Sequence, residues 1–181
     1  MPPKQRITRE MILECAFVMF LSEGMETVNA RSVAKALGCS TQPIFSYFTG
    51  MQDLKSALDA KAQEMYVCAV TSLPKSENWL VDMLTEHVRF ACEHVHVYNH
   101  LFLSVRANPA RLSTYNDLFG ALAQQVQEKE GVSSEIANRI VDEVGIYANG
   151  LINRLQIRGY ESTDVHHRIN TAYDVVLAHL K

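Results

Sequence analysis

The sequence lacks the features of a membrane-inserted or secreted protein. No apolar run approaches the roughly 18 residues that would indicate a membrane span, and the N-terminus, MPPKQRI, has no apolar segment of a signal peptide. The four cysteines, Cys15, Cys39, Cys68 and Cys92, are scattered and form no CxxC pair. Cysteines in this pattern are typically small buried hydrophobic residues in a reducing compartment. We therefore expect a cytoplasmic protein without a membrane partner.

The motifs of common enzymes are also absent. The sequence contains no Gly-x-Ser-x-Gly elbow, no phosphate-binding loop and no dinucleotide fingerprint. Asp142 and Glu143 are adjacent, so they point to different sides of a helix and make a poor acid–base pair. There is no internal repeat and no strand-like alternation long enough to predict a sheet. The sequence therefore predicts neither an enzyme nor a cofactor.

The charge of the chain is nearly balanced, which by itself does not indicate a nucleic-acid partner. The 181 residues include 17 Lys and Arg against 20 Asp and Glu, a net charge of −3. Residues 1–60 carry six basic and six acidic side chains, so the acidic excess lies in the remainder. With 48% apolar and 20% charged residues, the composition is that of a globular protein. DNA binding would depend on basic groups placed on one face.

Residues 28–48, VNARSVAKALGCSTQPIFSYF, predict two short helices joined by a tight turn. Asn29 can cap the first helix, and Gly38 follows it, where a left-handed residue often ends a helix. Ser40 is a candidate cap for the second helix, and Pro43 lies in its first turn, where a missing N–H costs nothing. A second helix with a polar N-terminal face is typical of the helix that enters a DNA major groove. The spacing of these residues alone is equally consistent with a pair of short helices that does not bind DNA.

Residues 8–58 resemble the N-terminal domain of TetR/AcrR-family transcriptional regulators. The matching positions are Ala16, Phe20, Gly24, Val33, Ala34, Gly38, Ser40, residues 44–48 and Leu54. Three positions depart from the usual family pattern: Phe45 replaces a common tyrosine, Asn29 a threonine or serine, and Met51 a lysine. The first and third changes remove groups that could contact phosphates.

The resemblance implies an all-α protein with two parts. Residues 1–50 would form a three-helix helix-turn-helix DNA-binding domain, and residues 51–181 a helical effector-binding and dimerisation domain. The implied function is a repressor that binds a palindromic operator in double-stranded DNA and is released by a small-molecule effector. A helix over residues 52–73 would connect the two parts and transmit the conformational change from the effector site to the DNA-binding domain. The residues expected to contact DNA are Asn29, Arg31, Ser40, Thr41, Gln42, Phe45, Ser46, Tyr47 and Lys55.

Apolar residues at helical spacing predict about nine helices along the chain. Thr8 can cap the first, which would end at Gly24, and Thr49 with Gln52 fits a capping box before a long helix. Later helices are predicted over residues 77–93, 97–106, 113–130 and 134–158. The last helix would follow a cap at Thr163 and reach Leu180.

The last two long helices are expected to form a dimer seam. The helix over residues 134–158 is apolar on more than one side, which is typical of a helix buried on several faces. The resembling family dimerises through a four-helix bundle, and reading a palindrome requires two-fold symmetry. The candidate interface residues are Ile140, Val144, Ala148, Leu151, Leu155, Ile169, Ala172, Val176 and Leu180. The alternative is that both helices are simply the core of a monomer.

Aromatic and histidine side chains in the middle of the chain are candidates for an effector site. In the resembling family the C-terminal helices enclose a cavity for a small, often hydrophobic effector, and such cavities are apolar with a few polar groups. The candidate lining residues are His87, Phe90, His94, Phe102, Tyr115 and Tyr147. The alternative for these residues is core packing.

A cluster of histidines, His87 to His100 with Cys92 among them, raises the question of a metal site. Cys92, His96 and His100 have the i, i+4 spacing of ligands on one helix. However, a helix break predicted near His94 would spoil that register, and the pattern lacks CxxC or HExxH. We assign no metal site. A metal-responsive regulator stays open as an alternative, as does a helical ligand-binding or interaction module without DNA binding.

Overall fold

The structure is a computed structural model that describes residues 7–73, 76–103, 109–158 and 164–181. For residues 109–116 and 158 it describes the backbone alone. Within these ranges the chain is helical and has no β-strand, as the sequence predicts. None of the helices in these ranges is long and apolar enough to cross a membrane.

Nine α-helices and one π-helical turn follow one another in the described residues. They are α1 (Arg9–Glu23), α2 (Ala30–Ala36), α3 (Gln42–Tyr47), α4 (Met51–Thr71), α5 (Trp79–Glu93), α6 (Val95–Tyr98), the π-helical turn Asn99–Leu103, α7 (Pro109–Glu130), α8 (Ser134–Arg158) and α9 (Val165–Leu180). The chain divides into two compact units. The first comprises Met1–Met65 and His94–Ser104, and the second comprises Tyr66–Glu93 and Val105–Lys181.

These units do not coincide with a division at residue 50. The first unit contains α1, α2, α3, most of α4 and the later segment formed by α6 and the π-helical turn. That segment joins the first unit because α6 packs against α1. The second unit contains the end of α4 together with α5, α7, α8 and α9. The functional division into DNA-binding and effector-binding parts stays a prediction.

Short-range hydrogen bonds define the helix ends of the first unit. The Thr8 hydroxyl accepts a backbone N–H of α1 at 3.2 Å, and Asn29 Oδ1 accepts two N–H groups of α2 at 3.1 and 3.0 Å. Ser32 Oγ in turn accepts the Asn29 N–H at 3.1 Å, which completes a reciprocal capping box. Gly24 and Gly38 have φ angles of +93° and +64°, the left-handed region that favours glycine. The caps and helix ends predicted at these positions are confirmed.

Two other predicted caps are corrected. Helix α3 begins at Gln42, so Thr41 rather than Ser40 occupies its cap position, and the Thr41 side chain makes no cap hydrogen bond. At the start of α4, Asp53 rather than Gln52 reaches back, since its Oδ2 accepts the Thr49 N–H at 3.0 Å. A carboxylate in the first turn also interacts favourably with the positive end of the helix dipole.

The core of the first unit fixes the orientation of α3. Its fully buried apolar side chains are Ile12, Ala16, Phe20, Val33, Ile44, Leu54, Leu58, Ala62 and Val97. An ion pair between Lys61 and Glu14 links α4 to α1. Because Ile44 anchors α3 on the inside, the side chains on the opposite side of this short helix point outward.

In the second unit α8 is the central helix and packs against α5, α7 and α9. Its bounds are those predicted from the sequence. Helix α7 begins at Pro109, earlier than the predicted start at residue 113. Proline is well suited to the first position of a helix, because the N–H it lacks would have no intrahelical partner there.

Candidate nucleic-acid interface

The outward face of α3 is formed by Gln42, Phe45 and Ser46. Ile44 and Phe48 are 0% and 1% exposed, so they form the inward side. Gln42 and Ser46 are exposed, and Phe45 is 52% exposed. These three positions are spaced i, i+3 and i+4, so their side chains share one face of the helix. The structure therefore brings three of the predicted DNA-contacting residues together on one face.

The chemistry of this face is neutral. Helix α3 has the sequence QPIFSY and contains no charged side chain. The Ser46 hydroxyl donates to the Gln42 carbonyl oxygen at 2.9 Å, so its proton is engaged within the helix. Tyr47, at the end of the helix, is 39% exposed. Any attraction for DNA phosphates must therefore come mainly from neighbouring helices.

Basic side chains are present on three helices of the same unit. Arg31 is exposed on α2, and Lys55 is half-buried on α4. The Arg9 guanidinium on α1 lies 4.9 Å from the ring centroid of Phe48, a cation–π contact. Arg9 was not among the predicted DNA contacts, and its ring contact joins residues too far apart in the chain to be predicted from sequence. Its charge at the first position of α1 was the available signal.

The predicted DNA contacts just before α2 and just before α3 have different surroundings. The Asn29 side chain is engaged in capping, since Oδ1 accepts two N–H groups of α2 and Nδ2 donates to the Thr27 carbonyl at 3.1 Å. Ser40 is exposed and Thr41 is half-buried, immediately before α3. Asn29 therefore positions α2, and a direct DNA contact from it stays a prediction.

Solved structures with this arrangement of helices are transcriptional regulators. A TetR-like transcriptional regulator from Rhodococcus sp. RHA1 matches with a TM-score of 0.66 at 14% identity, over 96% of this chain and 99% of that chain. The fatty acid degradation regulator FadR from Bacillus halodurans matches at 0.65 and 15%, over 96% and 97%. A TetR family transcription regulator from Marinobacter aquaeolei VT8 matches at 0.61 and 18%, over 94% and 93%. The chain has the TetR-regulator fold.

No protein-family model and no curated protein matches the sequence, so the likeness is one of structure. It extends over more than nine-tenths of this chain and of the three solved chains. The helix-turn-helix predicted at residues 28–48 corresponds to α2 and α3 of the TetR fold in this chain. The all-α fold class predicted from the sequence is confirmed.

Two of the predicted effector residues, His87 and Phe90, come together within the second unit of this TetR fold. Both rings pack edge-on against Tyr66, with centroid distances of 5.7 and 5.3 Å. Tyr147 is 42% exposed on α8. The Tyr115 side chain lies outside the described residues. The three rings are buried, with Tyr66, His87 and Phe90 at most 7% exposed, and an effector site at His87 and Phe90 stays a prediction.

The other two predicted effector residues, His94 and Phe102, belong to the first unit. His94 lies at the start of α6, where its carbonyl oxygen accepts the Tyr98 N–H at 2.8 Å. Phe102 lies in the π-helical turn and stacks on Tyr98 at a centroid distance of 4.8 Å. Each of these residues has a packing or backbone role within its own unit.

His87 is a buried neutral histidine. Its Nδ1 lies 2.8 Å from the Tyr66 hydroxyl, and its Nε2 lies 3.5 Å from Asn149 Oδ1. Burial lowers the pKa of His87 to about 4. The neutral tautomer with its proton on Nε2 satisfies both neighbours, because Nδ1 then accepts from Tyr66 and Nε2 donates to Asn149.

We expect this buried histidine to make the protein less stable in mild acid. The folded-state pKa is about 4 and the ordinary value is 6.5, so between these values the unfolded chain binds more protons. Stability should therefore fall as the pH is lowered through this window, by roughly 2 kcal/mol between pH 7 and pH 5. Urea unfolding of the wild type and of His87→Gln at both pH values measures the effect. An equal loss in the variant would show that other groups cause the acid sensitivity.

The predicted dimer residues divide into buried and accessible groups. The side chains of Ile140, Val144, Ala148, Leu151 and Ile169 are at most 6% exposed within the single chain. They pack in the chain's own core, where α8 meets α5, α7 and α9, so their assignment to a dimer interface is corrected. The half-buried residues of the predicted set are Leu155, Ala172, Val176 and Leu180.

An exposed apolar groove runs between α8 and α9 beside that core. Ile146 and Val175 are 63% and 64% exposed on its sides, and Tyr147, Ala172 and Val176 also line it. The groove encloses about 680 Å³. A large exposed apolar surface of this kind marks an interaction site more often than a solvated surface. Ile146 was not among the interface residues predicted from the sequence.

The histidine cluster does not form a ligand set in the described residues. No group of three His, Cys, Asp or Glu side chains in these ranges is arranged to hold a metal ion. His100 Nε2 lies 2.9 Å from Asp59 Oδ1, and its ring packs edge-on against Phe20 at 5.2 Å. The helix break predicted near His94 is confirmed, because α5 ends at Glu93 and a π-helical turn follows α6. That break removes the i, i+4 register of the candidate ligands.

Proposed function

We propose that this chain is a DNA-binding transcriptional regulator, a homodimeric cytoplasmic repressor that binds a palindromic operator and is released by a small-molecule effector. The observation that carries this proposal is the outward face of α3 in a TetR fold. Gln42 and Phe45 are exposed there, while Ile44 and Phe48 hold the helix from the inside. A rigidly held second helix with exposed side chains is what a helix-turn-helix inserts into the major groove.

The groove between α8 and α9 supports dimerisation. Its exposed apolar residues, Ile146 and Val175, would be covered by the same residues of a second copy in a two-fold interface. Such a dimer presents two copies of α3, and a palindrome read in successive major grooves requires them about 34 Å apart. Without the second copy, each chain would read only one half-site.

The buried cluster of Tyr66, His87, Phe90 and Asn149 supports an effector site in the second unit. It combines aromatic surface with polar groups that can exchange their internal hydrogen bonds for bonds to a ligand. An effector that binds one conformation of the dimer more tightly shifts the population toward it. In our proposal that conformation has its two α3 helices wrongly spaced for the operator.

Retardation of a palindromic DNA fragment from upstream of the protein's own gene tests the function. We expect the full-length protein to retard this fragment at nanomolar to micromolar concentration and a scrambled fragment of equal length only weakly. Equal weak binding to both fragments would contradict a sequence-specific regulator. It would favour a helical ligand-binding or interaction module without DNA binding.

Met51 provides a test of where α4 lies relative to the DNA backbone. It is the first residue of α4 and is half-buried, and Lys55 follows one turn later. We expect Met51→Lys to tighten operator binding and to make the salt dependence steeper by about one phosphate contact. The matched control is Gln127→Lys, which adds the same charge at an exposed position on α7. A salt slope that changes equally in both variants would mean that position 51 does not face a phosphate.

A further inference from the structure

We propose that Phe45 recognises the methyl group of a thymine in each half-site of the operator. The inference rests on the proposed DNA-binding function and assigns a sequence preference to it. Phe45 is 52% exposed on the outward face of α3, although the residues on either side of that face, Ile44 and Phe48, are almost completely buried. A large aromatic ring in water gains free energy when apolar surface covers it.

The chemistry of the ring restricts what it can contact in DNA. A phenylalanine side chain neither donates nor accepts a hydrogen bond, and the face of its ring carries partial negative charge. The face of the ring is therefore unfavourable beside a phosphate oxygen, and no part of the ring can form a phosphate hydrogen bond of the kind a tyrosine hydroxyl makes. The apolar group that base pairs display in the major groove is the C5-methyl of thymine, which apolar side chains contact.

On the outward face of α3, Phe45 is the side chain suited to contact a thymine methyl group. Helix α3 has no charged residue, and the Ser46 proton is engaged with the Gln42 carbonyl oxygen. The side chains on this face that can discriminate bases are the Gln42 amide, the Ser46 hydroxyl oxygen as an acceptor and the Phe45 ring, and of these only the ring is apolar. Gln42 matches the donor and acceptor pattern of adenine.

The spacing of the two residues sets the spacing of the two bases. Gln42 and Phe45 are separated by three positions on one helix, so their Cβ atoms are about 5–6 Å apart. Successive bases of one strand rise about 3.4 Å along the DNA axis. The thymine should therefore lie within about two base pairs of the adenine that Gln42 contacts.

Replacement of thymine by deoxyuridine tests the assignment, because it removes only the C5-methyl group. The operator is first recovered by selecting a random-sequence duplex library on the full-length protein. Each thymine of the recovered operator is then replaced in turn. At one position per half-site we expect affinity to fall about fourfold, the effect of one methyl group leaving an apolar contact.

Variants of Phe45 connect the lost methyl to this side chain. Phe45→Ala should bind the thymine operator more weakly and should be indifferent to deoxyuridine at the sensitive position. Phe45→Leu, which keeps apolar bulk, should retain part of the sensitivity. The control is Val18→Ala, a truncation of a side chain that is 61% exposed on α1 of the same unit. It should keep the full fourfold effect.

The outcomes separate this inference from the function on which it rests. Specific binding by the wild type with no loss at any deoxyuridine would overturn the assignment of Phe45 and leave the regulator function intact. If the loss of affinity on deoxyuridine substitution persists in a folded Phe45→Ala protein, a residue other than Phe45 contacts the methyl group. If the library yields no preferred sequence, both the regulator function and the methyl contact are wrong.

Discussion

Ile146→Asp is expected to separate the dimer and, as a consequence, to abolish operator binding at concentrations that saturate the wild type. Ile146 is 63% exposed beside Val175 in the groove between α8 and α9. In a two-fold interface one substitution buries two carboxylates, and a buried charge without a partner costs several kcal/mol. We expect dimerisation to weaken at least about 100-fold. Sedimentation at micromolar concentration and DNA retardation measure the two effects.

The control for this variant is Gln127→Glu, which makes the same change of charge at an exposed position on α7. It should remain a dimer and bind DNA normally. Ile146 is a sharper test than Val176, because Val176 is half-buried and a charge there also disturbs the packing of the chain itself. A dimeric Ile146→Asp protein would place the interface on another surface, and a monomeric wild type would rule out a dimer.

Gln42→Ala is expected to relax the preference of the protein at one base pair in each half-site. Gln42 is exposed in the first turn of α3, where side chains of a recognition helix reach base edges. Its amide donates and accepts at once, which matches the major-groove edge of adenine. Loss of this pair should cost roughly 1–3 kcal/mol at that base pair. Binding to a panel of single-base operator changes at fixed salt measures it.

Tyr47→Phe is the matched comparison on the same helix. Tyr47 is 39% exposed, and its hydroxyl would donate to a phosphate oxygen, which positions the protein without reading a base. Removal of this hydroxyl should weaken all operators alike, by roughly 1 kcal/mol. If Gln42→Ala instead lowers affinity uniformly and keeps every base preference, Gln42 is a positioning residue and the reader lies elsewhere.

The sequence alone determined the local structure of the first unit. The caps at Thr8 and Asn29 and the left-handed glycines Gly24 and Gly38 depend on residues within a few positions of each other, so the sequence is enough to place them. The same holds for α8, whose bounds follow from a serine start and a long apolar pattern. The resemblance to TetR/AcrR regulators rested on a motif within residues 8–58, and the solved structures that match this chain share that fold.

The faces of the helices were decided by tertiary structure. Helix α8 is apolar on several sides, so its sequence could not tell which side meets α5, α7 and α9 and which stays exposed. The predicted seam residue Val144 is in the core, whereas Ile146, two positions later, is 63% exposed. Two positions correspond to a half-turn of a helix, and only the contacts of the surrounding helices select one side.

Long-range partners were likewise beyond the sequence. The Arg9 contact with Phe48, the His100 pair with Asp59 and the burial of His87 beside Tyr66 all join residues far apart in the chain. A helical pattern specifies which residues share a side, because its period is a property of the backbone. It does not specify what lies opposite, because that depends on how distant helices pack to bury their apolar surfaces.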